Sequence, residues 1–188
     1  MTDFTPHSVE TAPEGSKQAL QGLQDALGFV PNLFGNMAES PALIEAYMAL
    51  AGSFGKADLS ETERQVIMMT NNRLNGCVYC MAGHTVLSKK AGVPDDVIEA
   101  LRNNTPIADS KLEGLRQFSI VMNETRGNPS AADVDAFLAA GYTKQTIFEM
   151  LIGMSLKLMS NYTNHIAKTP LDEAFKAEEW NLAAQAAA

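Results

Sequence analysis

Cys-Val-Tyr-Cys-Met-Ala-Gly-His, residues 77–84, holds both cysteines of the chain and one of its three histidines. On a helix with about 100° between residues, Cys77, Cys80 and His84 fall within an arc of about 60°. One face of a helix therefore carries all three side chains, and His84 lies one turn beyond Cys80, within reach of its sulfur. A thiol, a base and a second thiol on one face are what reversible thiol oxidation requires.

The residues around this octapeptide define the helix that holds it. Asn75-Gly76 breaks the chain, so the sequence predicts a helix that begins at Gly76 or Cys77 and ends at Gly92. Cys77 then lies in the first turn, where free N–H groups and the helix macrodipole favour a thiolate. We therefore expect the helix to lower the pKa of the Cys77 thiol.

Two other interpretations of the octapeptide stay open. Cys77, Cys80 and His84 are also three potential zinc ligands, and because a structural zinc site needs four, His7 or His165 would supply the fourth. Alternatively, both thiols are small core residues at a chance spacing, and His84 is a buried histidine with satisfied hydrogen bonds. The shared face of the three side chains favours the redox interpretation over a core histidine.

Length and composition limit the fold and the partners. With 188 residues, 46% of them apolar, the chain can bury the core of one domain without disulfides or metals. A net charge of −8 argues against nucleic acid or an anionic membrane as the main partner. No apolar run reaches the roughly 18 residues of a membrane span, and the N-terminus has no signal-peptide pattern. Because two cysteines do not make a secreted disulfide framework, we expect a cytoplasmic protein.

Helix signals recur on both sides of the octapeptide. Ser60 and Glu63 form a capping box that predicts the preceding helix, and Ser40-Pro41 predicts another helix start. Thr143 predicts the cap of a long helix that ends near Ala167, with a buried face of apolar residues three or four positions apart. The expected members of that face are Ile147, Met150, Leu151, Met154, Leu158 and Tyr162.

The helix signals together predict one helical domain. No segment alternates between apolar and polar residues with the period of two that indicates a strand. We expect an all-α, single-domain bundle of roughly eight helices over residues 16–180, preceded by an N-terminal arm at residues 1–15. Residues 181–188 are expected to form a frayed C-terminal tail.

Four segments resemble the AhpD-like alkylhydroperoxidase group of the carboxymuconolactone decarboxylase family, and within it the peroxidase-related subgroup. The most specific of them is the Cys-x-x-Cys-x-x-x-His core after Asn-Gly. The resemblance covers most of the chain. Its segments are LSETERQVI at residues 59–67, RLNGCVYCMAGH at 73–84, FVPNLF at 29–34 and SNYTNH at 160–165.

The resemblance implies an AhpD-like helical bundle whose protomers assemble as homo-oligomers, either trimers or hexamers. It also implies separate catalytic roles for the site residues, in which Cys80 attacks a hydroperoxide and becomes a sulfenic acid. Cys77 donates a proton and then closes the disulfide, and His84 relays protons. No cofactor and no metal ion are implied, and an external dithiol protein would reduce the disulfide.

Gln65 departs from the family pattern, which typically has a glutamate twelve residues before the first cysteine. A glutamine can orient a water molecule or bind His84, but it carries no proton at neutral pH. Glu61 lies four residues earlier on the same helix face and could substitute. Glu63 points away and belongs to the capping box. We therefore include Cys80, Cys77, His84, Gln65 and Glu61 in the candidate catalytic site.

The sequence thus predicts a thiol-dependent peroxidase that reduces hydroperoxides in antioxidant defence. One alternative is a lactone decarboxylase, the other activity named in the family, whose chemistry needs no cysteine pair. A second alternative is a redox sensor without catalytic turnover, whose disulfide forms but is slowly reduced.

Overall fold

Polar side chains cap the first turn of five helices in the computed structural model, which describes residues 3–181. The predicted capping box is confirmed, since Ser60 Oγ accepts the Glu63 N–H at 3.2 Å and Glu63 Oε2 accepts the Ser60 N–H at 2.8 Å. The helices are α1 (Glu14–Leu27), α2 (Asn32–Met37), α3 (Pro41–Phe54), α4 (Glu61–Leu74), α5 (Val78–Lys90), α6 (Asp95–Asn103), α7 (Ser110–Glu124), α8 (Ala131–Ala139), α9 (Lys144–Ala167) and a 3₁₀ helix (Glu173–Glu178).

The prediction of an all-α fold is confirmed. Residues 3–181 form nine α-helices and one 3₁₀ helix without any strand, against roughly eight helices expected from the sequence. No helix in that range has the length and hydropathy of a bilayer span.

Helix α4 is the central element of the bundle and packs against α5, α6, α7 and α9. Val66, Ile67 and Met69 of α4 are fully buried in the core. Helix α9 packs against α2, α3, α4 and α5. The octapeptide on α5 is therefore enclosed between α4, α9 and the 3₁₀ helix.

The predicted buried face of α9 is partly wrong. Leu151, Leu158 and Tyr162 are exposed, whereas the side of the helix that contains Gly153 and Lys157 is buried. A Cβ atom on Gly153 would lie 2.7 Å from Phe54 Cζ. Because Gly153 has no side chain, α9 can approach its neighbours closely. The face of α9 that contains Gly153 and Lys157 therefore packs inward, and the predicted face with Leu151, Leu158 and Tyr162 does not.

Residues near both ends of the described range pack against the helical domain. Helix α1 already begins at Glu14, Ala12 is buried, and the His7 N–H donates to Gly35 O at 3.2 Å. Near the other end, Trp180 is buried and its Nε1 donates to Arg102 O at 3.2 Å. The division into arm, domain and tail stays a prediction, and residues 182–188 of the expected tail lie outside the described residues.

Candidate active site

A tight turn between α4 and α5 presents the two cysteines. Gly76 has a φ of 65°, a conformation that glycine adopts without strain. Cys77 follows as the N-cap in extended conformation, with φ −86° and ψ 94°, so the helix begins at Val78. The expectation that Cys77 lies within the first turn is therefore wrong by one position, because the chain completes the Gly76 turn before it enters the helix.

Buried asparagines hold this turn in place. Asn72 O accepts the Cys77 N–H at 2.9 Å, and Asn72 Nδ2 donates to Cys80 O at 3.2 Å. Asn161 of α9 in turn donates from Nδ2 to Asn72 Oδ1 at 3.0 Å. Since these amides are fully or almost fully buried, their hydrogen bonds fix the position of the thiols relative to α4 and α9.

The two thiols lie side by side at the start of α5. Both cysteines are free, with 1% and 3% of their surface exposed for Cys77 and Cys80 respectively. The Asn164 Nδ2 atom lies 3.6 Å from Cys77 Sγ and 3.2 Å from Cys80 Sγ, so one amide group contacts both sulfurs. The Oδ1 atom of Asn164 is buried and has no hydrogen-bond partner among the described residues.

The surroundings favour a thiolate at Cys80. Burial raises the pKa of the Cys80 thiol, but hydrogen bonding from Cys77, the positive charge of Lys157 and hydrogen bonds from Ser160 and Asn161 outweigh it and lower the pKa to about 6. The hydrogen bond to Cys80, together with burial, raises the pKa of Cys77. The expectation of a lowered pKa at Cys77 is therefore wrong, because Cys77 acts as the hydrogen-bond donor to its partner.

His84 is held between two side chains. Its Nδ1 lies 2.8 Å from Gln65 Oε1, and its Nε2 lies 2.7 Å from Lys157 Nζ. Burial and the charge of Lys157 lower the pKa of His84 well below its usual value, so the imidazole is neutral. The ammonium group of Lys157 can only donate, so Nε2 accepts and the hydrogen on Nδ1 is donated to Gln65.

Gln65 and Glu61 extend this chain of hydrogen bonds along α4. Gln65 Nε2 donates to Glu61 Oε1 at 2.7 Å, as their spacing of four residues predicts. The other oxygen of Glu61 accepts from Arg64 Nε at 3.0 Å. The structure thus brings together all five predicted site residues, with Glu61 one hydrogen bond further from His84 than Gln65 is.

A cavity of about 530 Å³ opens onto this site. Cys80, His84, Gln65, Glu61 and Lys157 line it, whereas the Cys77 side chain does not. Most of the remaining wall is apolar and aromatic. Its aromatic members are Phe29, Phe34, Tyr47, Phe54, Tyr79 and Phe175.

A segment after α9 forms one wall of the cavity. The Tyr79 hydroxyl donates to Asp172, whose two carboxylate oxygens each accept the Asn32 N–H at 3.2 Å. Phe175 packs edge-on against Tyr79, with ring centroids 5.9 Å apart, and also against Phe29. These contacts join α2, α5 and the 3₁₀ helix, so Tyr79 supports the wall of the cavity.

Sequence reasoning missed the contribution of α9. Lys157 has 1% of its surface exposed although it is a lysine, and Asn161 and Asn164 follow it on the same buried face. The signal was present in the spacing, since these three polar residues are four and three positions apart on a largely apolar helix. A polar stripe of this kind indicates either a solvent-exposed face or a functional site. Because an apolar stripe lies beside it on the same helix, the sequence did not reveal which of the two stripes is buried.

One of the two histidines considered as a fourth zinc ligand has another partner. His7, one proposed fourth ligand, binds Glu39 Oε2 through Nε2 at 2.8 Å. Within residues 3–181 no group of three or more His, Cys, Asp and Glu side chains is arranged to hold a metal ion.

The comparisons with known proteins agree with this fold. Residues 41–113, which include the two thiols and the α4 residues of the site, match the model of the carboxymuconolactone decarboxylase family. Among curated proteins, none matches the chain in sequence.

Solved structures resemble the chain over nearly its whole length. An alkylhydroperoxidase AhpD core protein, an uncharacterized peroxidase-related protein from Ralstonia eutropha JMP134, has a TM-score of 0.80 at 18% identity, over 93% of this chain and 96% of that one. A peroxidase-related protein from Silicibacter sp. TM1040 has a TM-score of 0.77 at 19% identity, over 94% and 96%. A cysteine-to-alanine variant of the debrominase Bmp8, in complex with 2,3,4-tribromopyrrole, has a TM-score of 0.78 at 19% identity, over 95% and 96%.

These similarities confirm the family resemblance noted in the sequence. The family match covers the segment from α3 to the start of α7, and the structural likeness adds the fold of the remaining helices. The chain therefore contains a segment of the carboxymuconolactone decarboxylase family at residues 41–113, and over nearly its whole length it has the fold of the AhpD-like structures.

Proposed function

We propose that the protein is a thiol-dependent peroxidase in which Cys80 reduces organic hydroperoxides and Cys77 resolves the product. The observation that carries the proposal is the unequal placement of the two thiols. Cys80 faces the cavity and has a lowered pKa of about 6, whereas Cys77 lies outside the cavity lining and has a raised pKa. The first is suited to attack a substrate as a thiolate, and the second retains a proton until it is needed.

The proposed cycle balances with these two thiols and one external reductant. The Cys80 thiolate attacks the terminal oxygen of the hydroperoxide, the O–O bond breaks, and Cys80 becomes a sulfenic acid as an alcohol leaves. Cys77 then displaces the sulfenic hydroxyl as water and forms the Cys77–Cys80 disulfide. A dithiol protein supplies the two electrons that return both cysteines to the reduced state.

The cavity supports an apolar substrate larger than hydrogen peroxide. A volume of about 530 Å³ is within the range of small-molecule pockets, and its wall is mainly aliphatic and aromatic. Leu27, Met48 and Leu87, which also line the cavity, are exposed at the protein surface. We therefore propose aryl or long alkyl hydroperoxides as substrates.

The experiment is rapid-mixing kinetics of the reduced protein with cumene hydroperoxide. Cys80→Ser is expected to abolish consumption of the peroxide. Cys77→Ser is expected to consume one equivalent and stop at the sulfenic acid, which dimedone would trap on Cys80. Consumption that is unchanged in both variants would overturn the proposal. Rapid disulfide formation in the wild type with no turnover in the presence of dithiol reductants would favour the redox sensor instead.

A second candidate is reductive removal of bromine from an aromatic ring. It is favoured by the fold shared with the debrominase Bmp8 and by the aromatic wall of the cavity, which includes Phe34 and Phe54. In this reaction the ring gains hydrogen, bromide leaves, and Cys77 and Cys80 supply two electrons as they form the disulfide. Release of bromide from 2,3,4-tribromopyrrole by the reduced protein would test it. A lactone decarboxylase, by contrast, would keep its activity in a Cys77→Ser/Cys80→Ser double variant.

We also propose that the protein assembles as a homo-oligomer, a trimer or a hexamer. The support is an exposed apolar surface along one side of α9, here called the α9 stripe. Phe148 and Ile166, near its two ends, have 69% and 68% of their surface exposed. Exposed apolar residues aligned over most of a 24-residue helix are typical of a surface that another chain covers. The members of the α9 stripe are Phe148, Leu151, Leu158, Tyr162 and Ile166.

A further inference from the structure

We propose that Lys157 is the catalytic acid of this site: its ammonium group donates the proton that the departing alkoxide takes up when Cys80 attacks a hydroperoxide. The inference rests on the proposed peroxidase function and adds a residue to it. Lys157 belongs to α9 and lies outside the segment that matches the family model. Its position in the cavity and the chemistry of its neighbours support this role.

Lys157 is a buried cation at the reacting sulfur. It lines the cavity with Cys80 and His84, although only 1% of its surface is exposed, and Nζ lies 2.7 Å from His84 Nε2. A buried ammonium group is costly unless it is hydrogen-bonded and paired with negative charge. His84 supplies the hydrogen bond and the Cys80 thiolate supplies the charge, so the site holds an acid and a nucleophile together.

Five other polar groups of the cavity lining are unsuited to donate this proton, and Cys77, the donor that the family resemblance implies, lies outside the lining. His84 is neutral, and its one N–H, on Nδ1, points to Gln65 at 2.8 Å. The amide of Gln65 neither gives nor accepts a proton at neutral pH. Glu61 is acceptor-only when ionised and is already bound to Arg64, whose guanidinium does not release a proton. The remaining cation of the lining, Lys90, is exposed at the surface.

The step balances with Lys157 as the donor. The Cys80 sulfur gains a bond to oxygen and is oxidised, while the O–O bond breaks and the peroxide is reduced. The alkoxide takes a proton from the Lys157 ammonium group, and the products are a sulfenic acid, an alcohol and a neutral amine. When the external dithiol later reduces the Cys77–Cys80 disulfide, the new Cys80 thiol returns its proton to Lys157 and restores the starting pair.

Two oxidants with different leaving groups test the inference. Cumene hydroperoxide expels an alkoxide, which needs a proton, whereas peracetic acid expels acetate, which does not. Both rate constants are measured at pH 7 for the same variant, so the fraction of Cys80 present as thiolate cancels in their ratio. In Lys157→Met we expect the ratio of the cumene hydroperoxide rate to the peracetic acid rate to fall by about 10²-fold or more, the usual contribution of a general acid.

Lys157→Arg distinguishes the effect of the positive charge at this position from the ability to donate a proton. It also replaces Lys157→Met in the test if the methionine variant does not fold. Arginine keeps the positive charge beside Cys80 but does not donate its proton, so the same ratio is expected to fall in this variant too. Circular dichroism and thermal unfolding of each variant check the fold. A ratio that stays at the wild-type value in the folded variants would overturn the assignment of Lys157 as acid. If the wild type reacts with neither oxidant while iodoacetamide still modifies Cys80, the peroxidase function itself is overturned.

Discussion

Gln65 stands between an imidazole and a carboxylate, 2.8 Å from His84 Nδ1 and 2.7 Å from Glu61 Oε1. Its amide fixes the tautomer of His84 but passes no proton between the two groups. We therefore expect proton exchange at Cys80 to occur on the side of His84 that faces the cavity, where Lys157 lies. In the proposed mechanism Glu61 orients Gln65 through their hydrogen bond.

Gln65→Leu is expected to destabilise the protein. The substitution leaves the buried Nδ1–H of His84 without an acceptor, which costs about 1–3 kcal/mol. The measurement is urea unfolding followed by circular dichroism. Gln117→Leu is the matched control, because Gln117 also donates to a glutamate four residues earlier, Glu113, at 2.7 Å, but is exposed. Its free energy of unfolding should change by less than about 0.5 kcal/mol; equal losses in the two variants would contradict the role of Gln65.

Alkylation of Cys80 should report its lowered pKa. The thiolate is the form that reacts, so the rate of iodoacetamide modification rises with pH through the thiol pKa and then levels off. We expect the half-maximal rate near pH 6, with mass spectrometry placing the adduct on Cys80 and leaving Cys77 unmodified. Cys80→Ser provides the background rate. A midpoint near pH 8.5, the value of an ordinary thiol, would show that the neighbours of Cys80 do not stabilise its thiolate.

From the residues alone, the part of the site that could be predicted is the part that is local in sequence, whereas Gln65 and Glu61 entered through the family resemblance. Cys77, Cys80 and His84 lie within eight residues, and helix geometry alone places them together. Lys157 is 73 residues from His84 along the chain, and only the packing of α9 against α4 and α5 brings them into contact. The predicted direction of the Cys77 pKa shift was wrong only in part for this reason: the hydrogen bond to Cys80, which raises the pKa most, is local, and burial by other helices adds to it.

At the scale of helices, the sequence predicts where a helix begins better than it predicts which face of the helix is buried. Caps at Ser40, Ser60 and Thr143 are local chemistry, and the structure has helices that start directly after them. The inward face of α9 depends on how closely it can approach α3, which Gly153 allows and the spacing of apolar residues does not reveal. A stripe of apolar residues therefore indicates a buried surface, but it does not show whether that surface is buried by this chain or by another chain.

Gly114→Ala should weaken the contact between α7 and α8. A Cβ atom on Gly114 would lie 2.6 Å from Ala140 Cβ, and because alanine has no flexible end to move aside, the helices must separate. We expect a loss of about 1–3 kcal/mol in the free energy of unfolding, as for other overpacked sites. Gly22→Ala in α1 is the control, since nothing lies within 4 Å of its Cβ position.

The control substitution should have the opposite sign. Alanine stabilises a helix interior by up to about 1 kcal/mol relative to glycine, so Gly22→Ala is expected to raise the free energy of unfolding. Thermal and urea unfolding measure both variants. A Gly114→Ala protein as stable as Gly22→Ala would mean that α8 shifts without cost.

For the whole molecule, the α9 stripe predicts self-association. Phe148→Glu and Ile166→Glu each place a carboxylate on this exposed apolar surface, and burial of an unpaired charge in an interface is strongly unfavourable. We expect light scattering at micromolar concentration to show an oligomer for the wild type and smaller species for these variants. Ala132→Glu adds the same charge on an exposed position of α8 and should leave the assembly unchanged. A monomeric wild type would contradict the proposal.

Oxidation of Cys80 removes the negative charge that faces the Lys157 ammonium group. In the proposed cycle Lys157 gives its proton to the departing alkoxide as Cys80 is oxidised, so the oxidised site holds a neutral amine in place of a buried cation without its anion. Reduction of the proposed disulfide then takes up two protons with two electrons, one proton at Cys77 and one at Lys157. The midpoint potential of the pair should therefore fall by about 59 mV per pH unit instead of about 30 mV, so that acidification makes the protein a stronger oxidant of its reducing partner.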